Sequence, residues 1–425
     1  MGGYRRDHRE SGAAVDVTDR ILPDAGWRHS DGLRNVVAAL ADEHGGPRYV
    51  GGAVRDTLLG LDVADVDLAT ILHPEVVVDR LEAAGIKAVP TGLDHGTVTA
   101  VADGRNYEIT TLRRDVATDG RRAVVAFATD WCEDAARRDF TINALYADPA
   151  TGKIFDYFGG LEDLEDGSVR FIGDADQRIA EDFLRILRYF RFLARYGRGD
   201  VDVAAINACA KGAHGLTALS RERIAQELTK LLLLPSAVTA IGLMIEHRIF
   251  APFLPELAED AAPKFTALNE REDKFQKPPS LQARLLTLLP KDLATVDRVA
   301  ARLKLSNKLR EGLSSRVKSD PPTSQNIQAL AYQSGLPCAV DVTMLYATDG
   351  DVGDCLVQLD GWQVPELGLK GGELIVMGLD PGPMVAKTLR LIEARWISEG
   401  FPSAHRLTEI ARQSVADALS ASRKA

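Results

Sequence analysis

A pair of glycines followed by two closely spaced aspartates is the feature that most constrains the fold. The pattern of apolar and turn residues around it predicts a strand at 48–50, the turn Gly51-Gly52, a helix at 54–59, a loop, and a second strand at 66–69. Glycine lets the backbone approach a ligand closely, and amides at a helix N-terminus favour phosphate. The segment therefore predicts a mixed α/β unit with an anion-binding turn.

The two aspartates, Asp65 and Asp67, are candidate metal ligands. Residues two apart on a strand project to the same face, so both carboxylates can converge on one site. Such oxygen ligands suit Mg²⁺, and two ions about 4 Å apart can activate an attacking hydroxyl and stabilise a departing pyrophosphate. An isolated D-x-D motif is more often a solvated acidic turn. The preceding glycine turn is what favours the metal site.

Three further residues in this region are candidates for the same site. Arg55 and Asp56, on the first turn of the predicted helix, are placed to touch a triphosphate and to hold the turn, respectively. Glu108 lies in the alternating segment Y-E-I-T-T-L-R and can supply a third carboxylate from an adjacent strand, although a solvent-facing glutamate fits that pattern equally well. Activation of the hydroxyl by a metal makes a general base at His95 unnecessary.

The overall pattern predicts an α+β protein, with a small mixed α/β head followed by an all-helical neck, body and tail. A chain of 425 residues allows roughly two to four domains. We expect a flexible extension at 1–28, the head at 29–165, the neck at 166–235, and the body and tail at 236–425. Other expectations are helices at 31–44, 75–85, 137–145 and 179–196, a hairpin of 97–102 with 106–112, a strand at 123–128, and loops at 113–123 and 259–279.

Composition excludes several classes of protein. The four cysteines show no C-x-x-C spacing, which argues against a disulfide framework or a zinc site and favours a reducing compartment. No apolar run approaches the roughly 20 residues of a membrane-spanning helix, and the polar N-terminus does not read as a signal peptide. A net charge of −10 argues against non-specific coating of nucleic acid, but it permits binding of a short RNA end. We expect a cytoplasmic protein.

A series of ordered motifs resembles the family of class II tRNA CCA-adding enzymes and bacterial poly(A) polymerases. The first is V-G-G-A-V-R-D-T-L-L-G-L-D-V-A-D-V-D-L-A-T. It is followed by D-H-G-T-V, Y-E-I-T-T-L-R, R-R-D-F-T-I-N-A-L, D-Y-F-G-G-L-E-D-L, E-D-F-L-R-I-L-R-Y-F-R-F and L-S-R-E-R-I-A-Q-E-L-T-K-L-L. The likeness extends over about residues 30–235, and residues 378–402 resemble the C-terminal region of the family.

The helical motif at 181–192 predicts a site that reads the base of a nucleotide. Asp182 and Arg185 are three residues apart, which places them on one face of a helix. A carboxylate accepts from an exocyclic amino group and a guanidinium donates to a ring nitrogen, a pattern that cytosine and adenine share. Uracil or guanine would leave buried polar groups unpaired. The resemblance implies the same role for this pair, while Arg188, one turn onward, is a candidate for base or phosphate contact.

The motif at 137–145 predicts contacts to the rest of the nucleotide. Arg138 offers positive charge for a triphosphate, and Asp139 can accept from a ribose 2′-hydroxyl. Asp139 and Asn143 are four apart and share a face if the segment is helical. The resemblance associates the matching aspartate with sugar recognition, and it places an arginine near the active site at the position of Arg113.

The resemblance implies an enzyme that adds CCA to tRNA 3′ ends from CTP and ATP, releases pyrophosphate and requires Mg²⁺. The expected partners are tRNA, CTP and ATP, without DNA or membrane. Poly(A) synthesis, or addition of only the A or only the Cs, is the alternative. Residues 91–99 lack the basic pattern that resembles the poly(A) branch. A catalytically dead RNA-binding protein is a more distant alternative, because Asp65, Asp67 and Glu108 are all present.

Overall fold

The computed structural model describes residues 17–41, 46–93, 96–119 and 122–422, so His95 lies outside the described part. The chain divides into two compact units, Met1–Pro255 and Glu256–Ala425. Strands occur in the first unit and helices in both, as expected for an α+β protein with a mixed head. Among the described residues, no helix combines the length and apolar character needed to cross a membrane.

The first unit is organised around an eight-stranded mixed sheet of order β1-β10-β9-β2-β3-β6-β5-β4. A separate hairpin pairs β7 with β8. The strands are β1 (Val17–Ile21), β2 (Arg48–Val50), β3 (Asp67–Thr70), β4 (Lys87–Gly92), β5 (Thr97–Ala102), β6 (Arg105–Thr111), β7 (Arg113–Asp119), β8 (Arg122–Phe127), β9 (Leu145–Ala147) and β10 (Lys153–Asp156). Neighbouring strands run antiparallel except β3 and β6, which run parallel with Asp67 opposite Glu108.

Helices surround this sheet and continue beyond it. They are α1 (Asp31–Ala39), α2 (Gly52–Leu58), α3 (Pro74–Ala83), α4 (Trp131–Ala136), α5 (Gly160–Asp166), α6 (Ala175–Glu181), α7 (Leu184–Tyr196), α8 (Val203–Gly212), α9 (Arg221–Leu232) and α10 (Val238–Glu246). Helix α7 buries most of its apolar side chains. Phe140 packs against Phe192 of α7 with ring centroids 5.0 Å apart. The apolar burial of α7 thus fixes it against the segment that follows α4.

The described part of the second unit is helical. Its helices are α11 (Ala261–Lys274), α12 (Leu281–Thr287), α13 (Leu293–Arg302), α14 (Asn307–Lys318), α15 (Ile327–Ser334), α16 (Leu336–Tyr346), α17 (Asp349–Leu359), α18 (Gly371–Val376), α19 (Pro383–Ser398) and α20 (Ala404–Ser422). Towards the C-terminus, Leu374, Ile392, Trp396 and Ile410 form a core between α18, α19 and α20. Elsewhere, Arg284 and Glu272 form a fully buried ion pair.

Three local predictions were wrong, two of them because strand pairing overrides the local pattern. Residues 17–28 are not a flexible extension, since β1 pairs with β10 far along the chain. The expected loop at 113–123 contains β7, whose partner is β8. The expected loop at 259–279 contains α11, which buries Phe265 and Leu268 on one face and has Pro263 in its first turn, where proline is tolerated.

The predicted helix at 137–145 was also wrong. Only Thr141–Asn143 forms a short 3₁₀ turn, and Leu145 then begins β9. Strand β9 pairs with β10 on one side and β2 on the other, so the sheet takes residues whose local spacing suits a helix. The 3₁₀ turn lies against α5, where Gly160 packs on the Thr141 backbone.

This close packing generates a test of stability with a matched control. A Cβ at position 160 would lie 2.3 Å from the Thr141 carbonyl oxygen, so Gly160→Ala must displace backbone. We expect it to lower the free energy of unfolding by about 1–3 kcal/mol. Gly242, inside α10, has open space around its Cβ position, and Gly242→Ala is expected to be stabilising by up to about 1 kcal/mol. Urea unfolding measures the free energy of unfolding of both variants. Equal changes in Gly160→Ala and Gly242→Ala would contradict the packing argument.

Candidate active site

Three carboxylates gather where β3 begins. Asp67 is the first residue of β3, and Asp65 lies in the loop two residues before it. Parallel register sets Glu108 of β6 directly opposite Asp67. Burial raises the pKa of Asp67 to about 6, and Glu108 and Asp65 add to the increase, while Arg138 opposes it. The start of β3 is therefore a place where negative charge is concentrated and only partly balanced.

The carboxylates do not form a closed metal cage. Across the described residues, no group of three or more His, Cys, Asp and Glu side chains is arranged so that it could hold a metal ion. Asp65 and Glu108 are exposed, and Asp67 is partly buried. An open site of this kind suits a hard divalent ion that takes its remaining ligands from water and from substrate phosphates.

The glycine turn has the geometry that its sequence predicts. Gly51 has a φ of 66°, which strongly favours glycine, and its N–H donates to the Leu145 carbonyl oxygen at 3.0 Å. A Cβ on Gly51 would lie 3.7 Å from Nη1 of Arg138. Gly52 then begins α2. The turn thus joins β2 to α2, with the Arg138 guanidinium beside it.

Arg138 is held by a carboxylate that sequence analysis did not single out. Asp134 of α4 is 1% exposed, and its Oδ2 accepts from Arg138 Nη2 at 3.1 Å and from the Tyr146 hydroxyl at 2.7 Å. Its Oδ1 accepts from Arg137 Nη2 at 2.6 Å. Burial opposes ionisation of Asp134, yet both arginines outweigh it and keep the pKa below its usual range. The spacing D-A-A-R-R, with i, i+3 and i+4 positions, is the signal that indicates this contact.

A second network links the predicted sugar-binding residues to α7. Asn143 Nδ2 donates to Asp139 Oδ1 at 2.9 Å, and Asn143 Oδ1 accepts from Arg55. Arg188 of α7 donates from Nε to Asp139 Oδ2 at 2.7 Å. Burial opposes ionisation of Asp139, but Arg188 and Asn143 hold its pKa below the usual range. The expected contact between Asp139 and Asn143 exists, although no helix makes it.

Arg55 and Asp56 take part in the same contact between α2 and α7. Arg55 is buried, donates from Nε to Asp56 Oδ1 at 2.8 Å, and stacks 4.3 Å from the centroid of the Tyr196 ring. Asp56 also accepts from the Tyr196 hydroxyl at 3.0 Å. The Asp56 side chain therefore ties α2 to α7, and among the described residues its partners include Arg55, Tyr196 and Arg195. Tyr196 is a contributor that sequence analysis did not identify.

The expected shared helix face of Asp182 and Arg185 was wrong. The predicted helix at 179–196 is broken, because Asp182 has an extended backbone (φ −152°, ψ 105°) between α6 and α7. Asp182 Oδ2 accepts from Arg223 at 2.7 Å. Arg185 instead donates to Glu181 Oε2 at 2.5 Å and to the Arg137 carbonyl oxygen at 3.0 Å. The two side chains flank the α6–α7 junction, each with a different partner.

Arg113, the remaining candidate, begins β7 and lies beside Asp134. Its backbone N–H donates to Asp134 Oδ1 at 3.3 Å, and its Cα is paired with that of Phe127. The structure thus brings Arg113, Arg138, Asp67 and Gly51 into one neighbourhood of the head. Asp139, Asn143, Arg55, Asp56 and Arg188 form a connected network around α7.

Comparisons with known proteins agree with this architecture. Two family models match the chain. One is described as the poly A polymerase head domain and matches residues 48–170; the other, described as the probable RNA and SrmB-binding site of polymerase A, matches residues 201–260. A solved structure of the Bacillus stearothermophilus CCA-adding enzyme in complex with CTP superposes with a TM-score of 0.69 at 29% identity, covering 87% of this chain and 92% of that chain.

Curated relatives match along most of their length. The CCA tRNA nucleotidyltransferase 1, mitochondrial, of Homo sapiens is 36% identical over 390 residues, which cover 88% of this chain and 87% of the relative. The CCA-adding enzyme of Lacticaseibacillus paracasei is 34% identical over 369 residues, covering 84% and 89%. With a head that carries the glycine turn and the aspartate pair, and with relatives this similar over nearly the whole chain, the protein belongs to the class II family of CCA-adding tRNA nucleotidyltransferases.

Proposed function

We propose that the protein adds CCA to the 3′ ends of tRNA from CTP and ATP, without a nucleic-acid template and with release of pyrophosphate. The observation that carries this proposal is the similarity, over most of the chain, to curated proteins named CCA tRNA nucleotidyltransferase and CCA-adding enzyme. The carboxylates at the start of β3 are its chemical counterpart, because they lie beside a glycine turn and an arginine. The proposed location is the cytoplasm, and the four free cysteines fit a reducing compartment.

Membership of this family implies dependence on a divalent metal ion, and we propose Mg²⁺ with Asp65 and Asp67 as its protein ligands. The partly buried Asp67 and the adjoining Asp65 offer hard oxygen donors in a site whose negative charge is only partly balanced. Bound there, the ion would lower the pKa of the attacking 3′-hydroxyl and offset charge on the pyrophosphate. Glu108 would keep the local charge negative and thereby favour the ion.

The nucleotide-binding roles follow from the neighbours of this site. Arg138, with support from Arg113 and the turn Gly51-Gly52, would hold the triphosphate through charge-assisted hydrogen bonds. Asp139 would accept a hydrogen bond from a ribose hydroxyl, and Asn143 would donate one. Their positions would be held by Arg188, Arg55 and Asp56.

Base selection is assigned to Asp182 and Arg185 at the junction of α6 and α7. Reading a base requires each side chain to exchange its present partner, Arg223 and Glu181 respectively, for the base. We propose that residues 166–235 supply this base-recognition neck and that residues 236–425 bind RNA, mainly through phosphates and shape.

The function is tested with purified protein, Mg²⁺, CTP, ATP and tRNA transcripts ending at the discriminator base, at C or at CC. We expect synthesis to stop after CCA on each transcript. Long A tracts on unrelated RNA would instead indicate a poly(A) polymerase. The double variant Asp65→Ala, Asp67→Ala should lose all incorporation and retain tRNA binding in a gel-shift assay. Incorporation that survives both substitutions would contradict the assignment of the metal ligands.

The raised pKa of Asp67 predicts a pH-dependent effect on stability in metal-free protein. Its folded pKa of about 6 exceeds the ordinary value of 3.8, so ionisation of Asp67 opposes folding. This penalty is complete above pH 6 and disappears as the pH falls from 6 to below 3.8. Asp67→Asn is therefore expected to raise the free energy of unfolding at pH 8 by about 1–2 kcal/mol, with a smaller gain at pH 5.

The measurement is urea unfolding in EDTA at both pH values. Asp62→Asn, at an exposed position of the same loop, is the control and should change stability little at either pH. A gain at Asp67 that is equal at both pH values would show that ionisation of the Asp67 carboxyl is not its cause.

Base selection is tested by Asp182→Ala. Loss of the carboxylate removes the buried group that uracil or guanine would leave unpaired. The preference for CTP over UTP, expressed as a ratio of kcat/KM values, should therefore fall at least about tenfold. The control is Asp176→Ala, which removes an exposed aspartate of α6 whose partner is Lys211 at 3.0 Å. Nucleotide preference that is unchanged in both variants would refute the assignment.

A further inference from the structure

A single buried carboxylate organises both arginines that precede Asp139. Asp134 accepts from Arg137 through one oxygen and from Arg138 through the other, and each guanidinium approaches with its Nε and Nη2 atoms. Two guanidinium groups share one carboxylate, so the cluster keeps an excess positive charge. An ion pair that served stability alone would not need the second cation, because burying uncompensated charge is costly.

The geometry leaves one end of the Arg138 guanidinium for another partner. Arg138 Nε donates to the Tyr146 hydroxyl at 3.1 Å and Nη2 donates to Asp134. Nη1 makes no hydrogen bond to any residue that the structure describes, and it faces the turn at Gly51. The side chain is only 19% exposed, so the contacts to Asp134 and Tyr146 determine where this donor points.

The same carboxylate also fixes the backbone around the arginines. The Arg113 N–H donates to Asp134 at the start of β7. The carbonyl oxygen of Arg137 accepts from Arg185 of α7, so the segment between α4 and Asp139 is held from both sides. Because Asp134 is 1% exposed and sits at the centre of these contacts, substrate does not need to touch it for it to affect binding.

We propose that Asp134 is a positioning residue for nucleotidyl transfer, which aims Nη1 of Arg138 at the triphosphate of the incoming nucleotide. This inference rests on the proposed function, since it assumes that a nucleoside triphosphate binds beside the turn at Gly51. Asp134 acts through Arg138, and Tyr146 is the second support of the same guanidinium. The role concerns the β- and γ-phosphates, which a nucleoside monophosphate lacks, so the affinity for the monophosphate is independent of it.

The test is titration calorimetry of CTP and CMP, with Mg²⁺ and without tRNA, on the wild type and on Asp134→Asn. The asparagine keeps the shape of the side chain and removes its charge. We expect CTP affinity to fall about tenfold, the scale of a charge-assisted hydrogen bond, while CMP affinity stays unchanged. An equal loss for both nucleotides, or no loss for either, would overturn the proposal.

A matched control and a second variant separate positioning from folding. Asp341, in the second unit, is a buried aspartate that accepts from Arg316 Nε at 2.6 Å and from the Ser280 hydroxyl at 2.6 Å. Asp341→Asn should lower stability and leave the CTP-to-CMP affinity ratio unchanged. If Asp134→Asn does not fold, Tyr146→Phe carries the test, since it removes one support of Arg138 and should lower CTP affinity alone by a smaller factor.

A double-mutant cycle shows whether Asp134 acts through Arg138. With Arg138→Ala in place, adding Asp134→Asn should cause no further loss of CTP affinity, because the side chain that it positions is absent. Independent, multiplying losses would overturn the proposal. CCA addition by the wild type is measured in the same preparation. If the wild type adds no CCA, the proposed function is refuted. If it adds CCA normally and the losses of CTP affinity in the two variants are independent, only the role of Asp134 is refuted.

Discussion

The burial of Asp67 beside two other carboxylates at the start of β3 is the constraint on which the rest of the head depends. The parallel pairing of β3 with β6 sets Glu108 opposite Asp67, and Asp65 lies two residues away. Such a site costs free energy in the folded protein, as the raised pKa of Asp67 records. Chemistry that needs a divalent cation can use this unbalanced field, because the cation supplies the compensating charge.

The surrounding structure places positive charge near these carboxylates without neutralising them. Arg138 lowers the repulsion on Asp67, yet its guanidinium is anchored elsewhere by Asp134 and Tyr146. Buried arginines need such anchors, since an unpaired buried charge is costly. A separate hydrogen-bond network through Asp139 joins the segment that follows Arg138 to α7, because Arg188 of α7 donates to Asp139.

Much of the fold and of the site followed from local pattern. The strand at 48–50, the turn at Gly51 and the hairpin of β5 and β6 were all predicted, because glycine φ preference and two-residue periodicity act over a few neighbours. The break at Asp182 was missed, since the apolar spacing of 179–196 continues through it. Asp134 was missed as well, although the D-A-A-R-R spacing contains the information.

The sequence by itself determined which chemical groups are available and where the chain turns. It determined the spacing of Asp65 and Asp67, the positive φ at Gly51 and the helical character of α7, all of which depend on residues close in the chain. Only the tertiary structure decided that Glu108 stands beside Asp67 and that residues 145–147 form a strand. Those outcomes depend on partners tens of residues away, and the free energy of sheet pairing exceeds the local preference of these residues.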